Sequence, residues 1–312
     1  MVSPMTGAAG SQPTPHVRSL AFLGPAVGGH PGWVTTQGEV LAGLFADDGH
    51  PVLVSSRRLN PVARGWDHAA DLVRSRRQVE VVIVSVFGGR AFALATEAIG
   101  LARALGLPSV SWLHGGGLPT FGDAHPRWVR RVLEGADAVV APTEYLARWA
   151  SDVVPDVRVI PNVLDLDAYR YRPRSAVRPR LLWMRTFHEL YDPSTAVRAL
   201  AALRALGMDA TLTMAGQDKG LLAETRAQVT TLGLEGAVSF PGFVTGGQKA
   251  ALLDRHDVFL NTNVVDNAPV TVLEAAASGL AVVSTDAGGI PDLLTDRKTA
   301  RLVPTSDPEA MA

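Results

Sequence analysis

Cysteine is absent from all 312 residues, which excludes disulfides and thiolate metal sites and fits a reducing cytoplasm. Neither sign of charge dominates: 29 basic side chains face 30 acidic ones, so the composition carries no footprint of a nucleic-acid partner. No apolar run approaches the roughly 20 residues that a membrane span needs. Residues 1–18 are rich in Gly, Pro, Ser and Thr and lack the apolar middle of a secretory signal, so they read as a loose tail. Neither G-x-G-x-x-G nor a Walker loop occurs, which argues against a dinucleotide or triphosphate site. No histidine cluster has metal-ligand spacing, and no structural metal is expected.

What is present is a long alternation of short apolar, β-branched runs with helix-like stretches. Strands are predicted at Leu20–Leu23, Val52–Ser55, Val79–Phe87, Ser109–His114, Ala138–Ala141 and Val157–Ile160. A second set follows at Arg180–Met184, Thr211–Ala215, Val238–Phe240, Val258–Asn261, Ala281–Ser284 and Arg301–Val303. Helical patterns fall near 34–48, 68–77, 91–106, 126–135 and 144–151, then near 193–206, 221–232, 246–255 and 269–278. Apolar strands alternating with helices imply parallel sheets covered on both faces. Two such sets imply two doubly wound, Rossmann-like α/β domains, 19–170 and 180–312, facing a central cleft at the carboxyl ends of their strands. The connector is 171–179, within a Pro- and Arg-rich run. Asp307-Pro308 announces a further helix that the sequence does not continue, so the second domain reads as incomplete.

The stretch from Asp266 to Glu274 carries the most chemistry. Pro269 suits the first helical position, and Ala268 before it has no oxygen to cap a helix. The amides of Val270 and Thr271 are then available to an anion. A diphosphate cradled by Asn267, Ala268, Pro269, Val270 and Thr271, with Asp266 and Glu274 accepting hydrogen bonds from sugar and ribose hydroxyls, suits a sugar nucleotide. The plainer alternative is a buried amphipathic helix with a solvated Glu.

Other candidates sit at strand ends. Gly28 and Gly29 follow the first strand and can bring backbone amides close to a phosphate, or simply form a tight turn. His114 ends a buried strand before three glycines; a neutral imidazole there can serve a sugar hydroxyl or the reacting centre, or be structural. Arg185 ends the first strand of the second domain, where a guanidinium suits a departing diphosphate. Lys219 follows another strand and is either a donor contact or a solvated loop charge. Asp165 and Asp167 are assigned to turn and helix-cap chemistry rather than to a metal. Arg74–Arg77 and Arg127–Arg131 read as solvated helix faces; with Trp128 among the latter, they also raise a first domain leaning on an anionic bilayer to reach a lipid acceptor.

With these residues together, the chain resembles a family-4 glycosyltransferase of the GT-B fold, from about Ser19 to its end. Asp266 and Glu274 match the family's paired acids, with Asp where Glu is usual. The run Glu274–Asp292, the linker Val159–Tyr169, the pair Gly28-Gly29 and the loop Trp112–Pro119 are similar to its motifs. The resemblance implies transfer of a sugar from a nucleotide donor with retention of configuration, without an obligatory metal or cofactor, with His114, Arg185 and Asp266 at the reacting centre. The Lys that usually follows Arg185 is missing: Leu190 and Tyr191 stand there, with His188 nearby. Donor base, sugar and acceptor are not specified. The alternatives are a nucleotide-sugar-binding protein without turnover, a sugar-nucleotide epimerase of the same fold and, last, a nicotinamide dehydrogenase.

Overall fold

The computed structural model describes residues 18–30 and 32–312. The expected tail at 1–17 lies outside them. Arg18, counted with the tail, is fixed: its amide donates to His50 Nδ1 at 3.2 Å and its guanidinium lies 3.7 Å from Glu80.

Two six-stranded parallel sheets form the frame. The first holds β1 (Leu20–Leu23), β2 (Val52–Ser55), β3 (Val81–Val86), β4 (Ser109–Leu113), β5 (Ala138–Ala141) and β6 (Val157–Val159), in the order β2-β1-β3-β4-β5-β6. The second holds β7 (Arg180–Met184), β8 (Thr211–Ala215), β9 (Val238–Gly242), β10 (Val258–Asn261), β11 (Ala281–Thr285) and β12 (Arg301–Val303), in the order β12-β11-β10-β7-β8-β9. Each sheet reverses its strand order beside its first strand, and both switch points open on the same gap.

The helices of the first lobe are α1 (Gln37–Asp47), α2 (Pro61–Ser75), α3 (Phe92–Ala104), α4 (Leu118–Ala124), α5 (Pro126–Leu133) and α6 (Glu144–Ser151). Right-handed crossovers place α2, α3, α5 and α6 on one face of the first sheet. There Leu72, Phe92, Ile99, Val129, Val132 and Leu146 share one core with alternate strand residues. On the other face α1 covers Leu20 and Phe22 with Ala42 and Phe45. The second lobe carries α7 (Pro193–Ala205), α8 (Leu222–Thr231), α9 (Gly246–Arg255), α10 (Val270–Ala277), α11 (Ile290–Leu293) and α12 (Pro308–Met311), with separate cores on its two faces.

All twelve predicted strands are present, within two residues at each end. The helices differ in three places, one of them the short α11 (Ile290–Leu293), where no helix is predicted. α2 starts at Pro61 rather than near 68, because Asn60 caps it through bonds to the amides of Val62 and Ala63 at 2.9 and 3.2 Å. α4 occupies a stretch read as loop; it has no capping side chain and follows three glycines, so Pro119 in its first turn is the one local signal that announces it.

The connector is strapped to the second lobe. Arg172, Arg174 and Arg180 converge on Asp257, which is 1% exposed in its side chain. Arg174 also donates to the carbonyls of Leu253, His256 and Ser278. Burial alone pushes the Asp257 carboxyl up in pKa. The hydrogen bond and charge of Arg180, with the Arg178 amide and Arg172, outweigh it and hold the group below the usual range.

Candidate active site between the lobes

The two lobes meet where the carboxyl ends of β4, β5, β7 and β10 face each other. Gly116, in the glycine run after β4, lies so close to Asp266 that a Cβ built on it would stand 2.6 Å from the Asp266 carbonyl carbon. Thr143, the cap of α6, donates its hydroxyl to Asn267 Oδ1. Asn162 donates to the Ala268 carbonyl at 3.1 Å. Asp292 accepts from the Tyr145 amide at 2.6 Å and lies 3.8 Å from Arg148. The segment 266–268 is therefore pressed against the first lobe, and α10 begins immediately behind it.

α10 starts one residue later than the sequence implies. Pro269 is the cap residue, extended at φ −66° and ψ 108°, and its carbonyl accepts from the Val272 amide at 3.1 Å. No side chain caps this end. The amides of Val270 and Thr271 take no protein acceptor among the described residues, and the Thr271 hydroxyl is buried without a partner. This leaves the donor end of a helix dipole for an anion. Asn267 and Ala268 serve otherwise. The Asn267 amide donates to Asp266 Oδ1 at 2.7 Å and its side chain ties the lobes together, while the Ala268 carbonyl is taken by Asn162. Both are buried, so neither offers these groups to a ligand.

Arg185 and Asp266 are brought into direct contact. Arg185 Nη2 pairs with Asp266 Oδ2, which Asn263 Nδ2 also reaches, and Arg185 Nε donates to Asn263 Oδ1 at 3.3 Å. The guanidinium carbon stands 4.2 Å above the Tyr191 ring. Tyr191 thus supplies no second cation where the resemblance expects a Lys; it holds Arg185 by a cation–π contact. Gly216 is required behind this corner: at φ 159° its missing Cβ would fall 1.7 Å from the Arg185 carbonyl oxygen. Lys219 lies across the gap, its Nζ 5.4 Å from the centre of the Trp33 ring in the first lobe. His188 caps a short turn by accepting from the Leu190 amide at 3.2 Å.

Glu274 is buried and paired, not solvated. Its Oε1 accepts from Lys249 Nζ at 2.6 Å and from the Tyr169 hydroxyl at 2.8 Å. Burial raises the Tyr169 phenol, and the charge and hydrogen bond of Glu274 raise it further. Glu274 Oε2 takes no protein hydrogen bond among the described residues, which leaves one carboxylate oxygen for a ligand hydroxyl. Sequence reading singled out neither Lys249 nor Tyr169 as a partner. Their spacings of 25 and 105 residues from Glu274 leave no local signal.

His114 sits at the mouth of β4, 7% exposed, stacked on Phe87 at 4.9 Å and packed on Trp112 at 4.5 Å. Burial lowers its pKa to about 3, so the ring is neutral throughout the physiological range. Its Nε2 is buried and has no partner among the described residues.

Gly28 departs from its expected role. Its amide donates to both Glu39 oxygens at 3.1 and 3.2 Å, and a Cβ there would meet the Thr35 backbone at 2.5 Å. Glu39 is simultaneously the acid of the capping box that starts α1. The tight turn explains Gly28, and its amide is not available to a phosphate. Gly29 faces open space. Asp165 accepts from the Asp167 amide at 3.1 Å, as turn chemistry requires. Trp128 is no surface anchor: its indole donates to Thr96 at 2.7 Å and packs on Phe92 and Phe121.

Two facing Rossmann-like lobes, with a bare helix end, an arginine and two acids at their junction, define the architecture of a GT-B protein. Comparison with known proteins agrees. The family described as Glycosyltransferase Family 4 matches residues 35–168, and that described as Glycosyl transferases group 1 matches residues 178–312. The chain belongs to the family-4 glycosyltransferases of the GT-B fold. WcaL of Salmonella typhimurium, named as a colanic acid biosynthesis glycosyltransferase, is 39% identical over 85 residues, 25% of this chain and 21% of its own. A phosphatidyl-myo-inositol mannosyltransferase of Mycobacterium leprae is 28% identical over 180 residues, 55% of this chain and 47% of its own. The matched stretches thus span between a fifth and a half of these relatives. Anabaena HepE, solved with UDP and glucose, superposes with a TM-score of 0.73 at 17% identity, over 95% of this chain and 88% of its own.

Proposed function

We propose that the cleft binds a nucleoside-diphosphate sugar and transfers its sugar, with retention of configuration, to an acceptor hydroxyl. The observation that carries this is the uncapped start of α10 at the lobe junction, beside Arg185, with Asp266 before it and Glu274 one turn inside it. In this reading the diphosphate lies on the amides of Val270 and Thr271. Arg185 keeps Asp266 with Nη2 and offers Nη1, which has no protein partner among the described residues, to the phosphate. Glu274 Oε2 accepts from a ribose hydroxyl, and Asp266 from a hydroxyl of the transferred sugar. Lys219 reaches the donor from the rim of the cleft. HepE, solved with UDP and glucose, is a fold-level precedent for such a ligand.

Charge gathers on the diphosphate as the bond from the anomeric carbon to phosphate oxygen breaks, and the helix end and Arg185 stabilise it. The acceptor oxygen forms its bond to the same face of that carbon, and its proton passes to the leaving phosphate. A neutral His114 donates or accepts a hydrogen bond at the sugar without adding charge. Closure of the lobes on the donor excludes water.

The test is a panel of uridine, guanosine, adenosine and thymidine diphosphate sugars scored by thermal shift, because stabilisation grows with ligand concentration over Kd and needs no acceptor. One base class should raise the Tm. Glu274→Ala, referred to its own ligand-free Tm, should lose most of that rise. A flat panel for the wild type would overturn the reading, and an undiminished rise in the variant would remove Glu274 from it. A second reading, donor binding without turnover, is favoured by Tyr191 in place of a second cation. It predicts the thermal shift without release of nucleoside diphosphate on prolonged incubation.

A further inference from the structure

Helix α2 turns its buried side, with Arg64, Gly65, His68 and Leu72, onto the core and presents an apolar stripe to solvent. Trp66 is 75% exposed, Val62 70%, Leu59 46% and Val73 44%. At 100° per residue, Val62, Trp66, Ala70 and Val73 fall within about 80° of the helix circumference. An indole left three-quarters in water at the centre of a stripe is not core packing, and the surroundings indicate what would cover it.

Residues 57–135, which hold α2, α3 and α5, contain eleven arginines, no lysine and six carboxylates, a net charge of +5. The rest of the chain carries eighteen basic and twenty-four acidic side chains, a net charge of −6, and together they give the whole chain's −1. The helices share one face of the first sheet and run opposite to its strands. Arg74, Arg76 and Arg77 end α2, Arg103 ends α3, and Arg130 and Arg131 end α5, so these cations gather along one rim. Arg58 and Arg74 flank the stripe, paired with Asp67 and Asp71 at 3.0 and 3.3 Å. Arg57, Arg76, Arg77, Arg103 and Arg131 make no ion pair among the described residues.

We infer that this face of the first lobe, centred on Val62 and Trp66, docks on an anionic bilayer surface. The apolar stripe enters the boundary between headgroups and acyl chains, and the arginines around it meet the lipid phosphates. Among the described residues no helix is long and apolar enough to cross a membrane. The arginines overlap those the sequence indicates, but the aromatic differs: Trp66 is exposed, whereas the Trp128 indole packs into the lobe and donates to Thr96.

The experiment is co-sedimentation of the full chain with phosphatidylcholine vesicles and with vesicles containing a third phosphatidylglycerol. The wild type should bind the anionic vesicles at 50 mM salt and lose most of that binding at 500 mM, and it should ignore the neutral ones. Val62→Ser with Trp66→Ser should weaken binding at least fivefold, with unchanged circular dichroism and Tm because both side chains are exposed. Arg76→Glu with Arg77→Glu should weaken it and remove the salt dependence in proportion. Equal binding to neutral vesicles, or undiminished binding by the stripe variant, would overturn the inference. So would a concentration-dependent dimer that the stripe variant abolishes, since a second copy would then be the occupant. The assay uses neither donor nor acceptor, so its failure leaves the reading of the cleft untouched.

Discussion

Replacing Gly116 by Ala should force the lobes apart without unfolding either. The added carbon would lie 2.6, 2.8 and 2.9 Å from the carbonyl carbon, Cα and oxygen of Asp266. Comfortable contact between carbons is about 3.5–4.0 Å, so the shortfall is close to 1 Å. The obstacle is backbone on the opposite lobe, which cannot swing aside as a side chain would. Overpacking of this kind costs about 1–3 kcal/mol. Here that cost falls on the closed arrangement alone. At about 1.4 kcal/mol per factor of ten, the closing equilibrium shifts against closure by about 5- to 140-fold. Gly117→Ala is the control, because its Cβ would meet nothing within 4 Å and its φ is −84°. Small-angle scattering should show a larger radius of gyration for Gly116→Ala than for Gly117→Ala, and the binding of a nucleotide identified by thermal shift should weaken by the same factor. Identical scattering and affinity in the two variants would refute the claim that this contact sets the approach of the lobes.

Two further outcomes follow from the buried charges. Asp257→Asn leaves three arginines around a neutral group and should cost about 3–5 kcal/mol, read as a lower urea midpoint. Because the folded carboxyl is held below its ordinary value of about 3.9, its contribution is complete above that pH and lost as acid titrates it; the variant's deficit should therefore be largest at pH 7 and shrink progressively as pH falls below about 3.9. His68 acts in the same direction at a higher pH: burial, then the charge of Arg64, lowers its pKa to about 4. The unfolded chain takes up the proton that the fold refuses, so stability should fall as pH drops from about 6.5 toward 4, and His68→Leu should flatten that slope in urea titrations.

The sequence by itself determined the alternation of strands and helices. Runs such as Val81–Val86 and Ala281–Thr285 are apolar and β-branched, and each encodes its own state over a few residues. It also determined the acid spacing around α10 and the missing cap before it, since both lie within nine residues of chain. Tertiary structure decided which of these groups remain available. Glu39 claims the amide of Gly28, Thr143 claims the side chain of Asn267 across 124 residues, and Lys249 and Tyr169 share one oxygen of Glu274. It also decided which tryptophan meets solvent, half-burying Trp128 against α3 and α4 and leaving Trp66 outside. The reason is physical: secondary structure follows from near neighbours and backbone geometry, whereas burial and hydrogen-bond partnership depend on which distant elements the crossovers lay side by side.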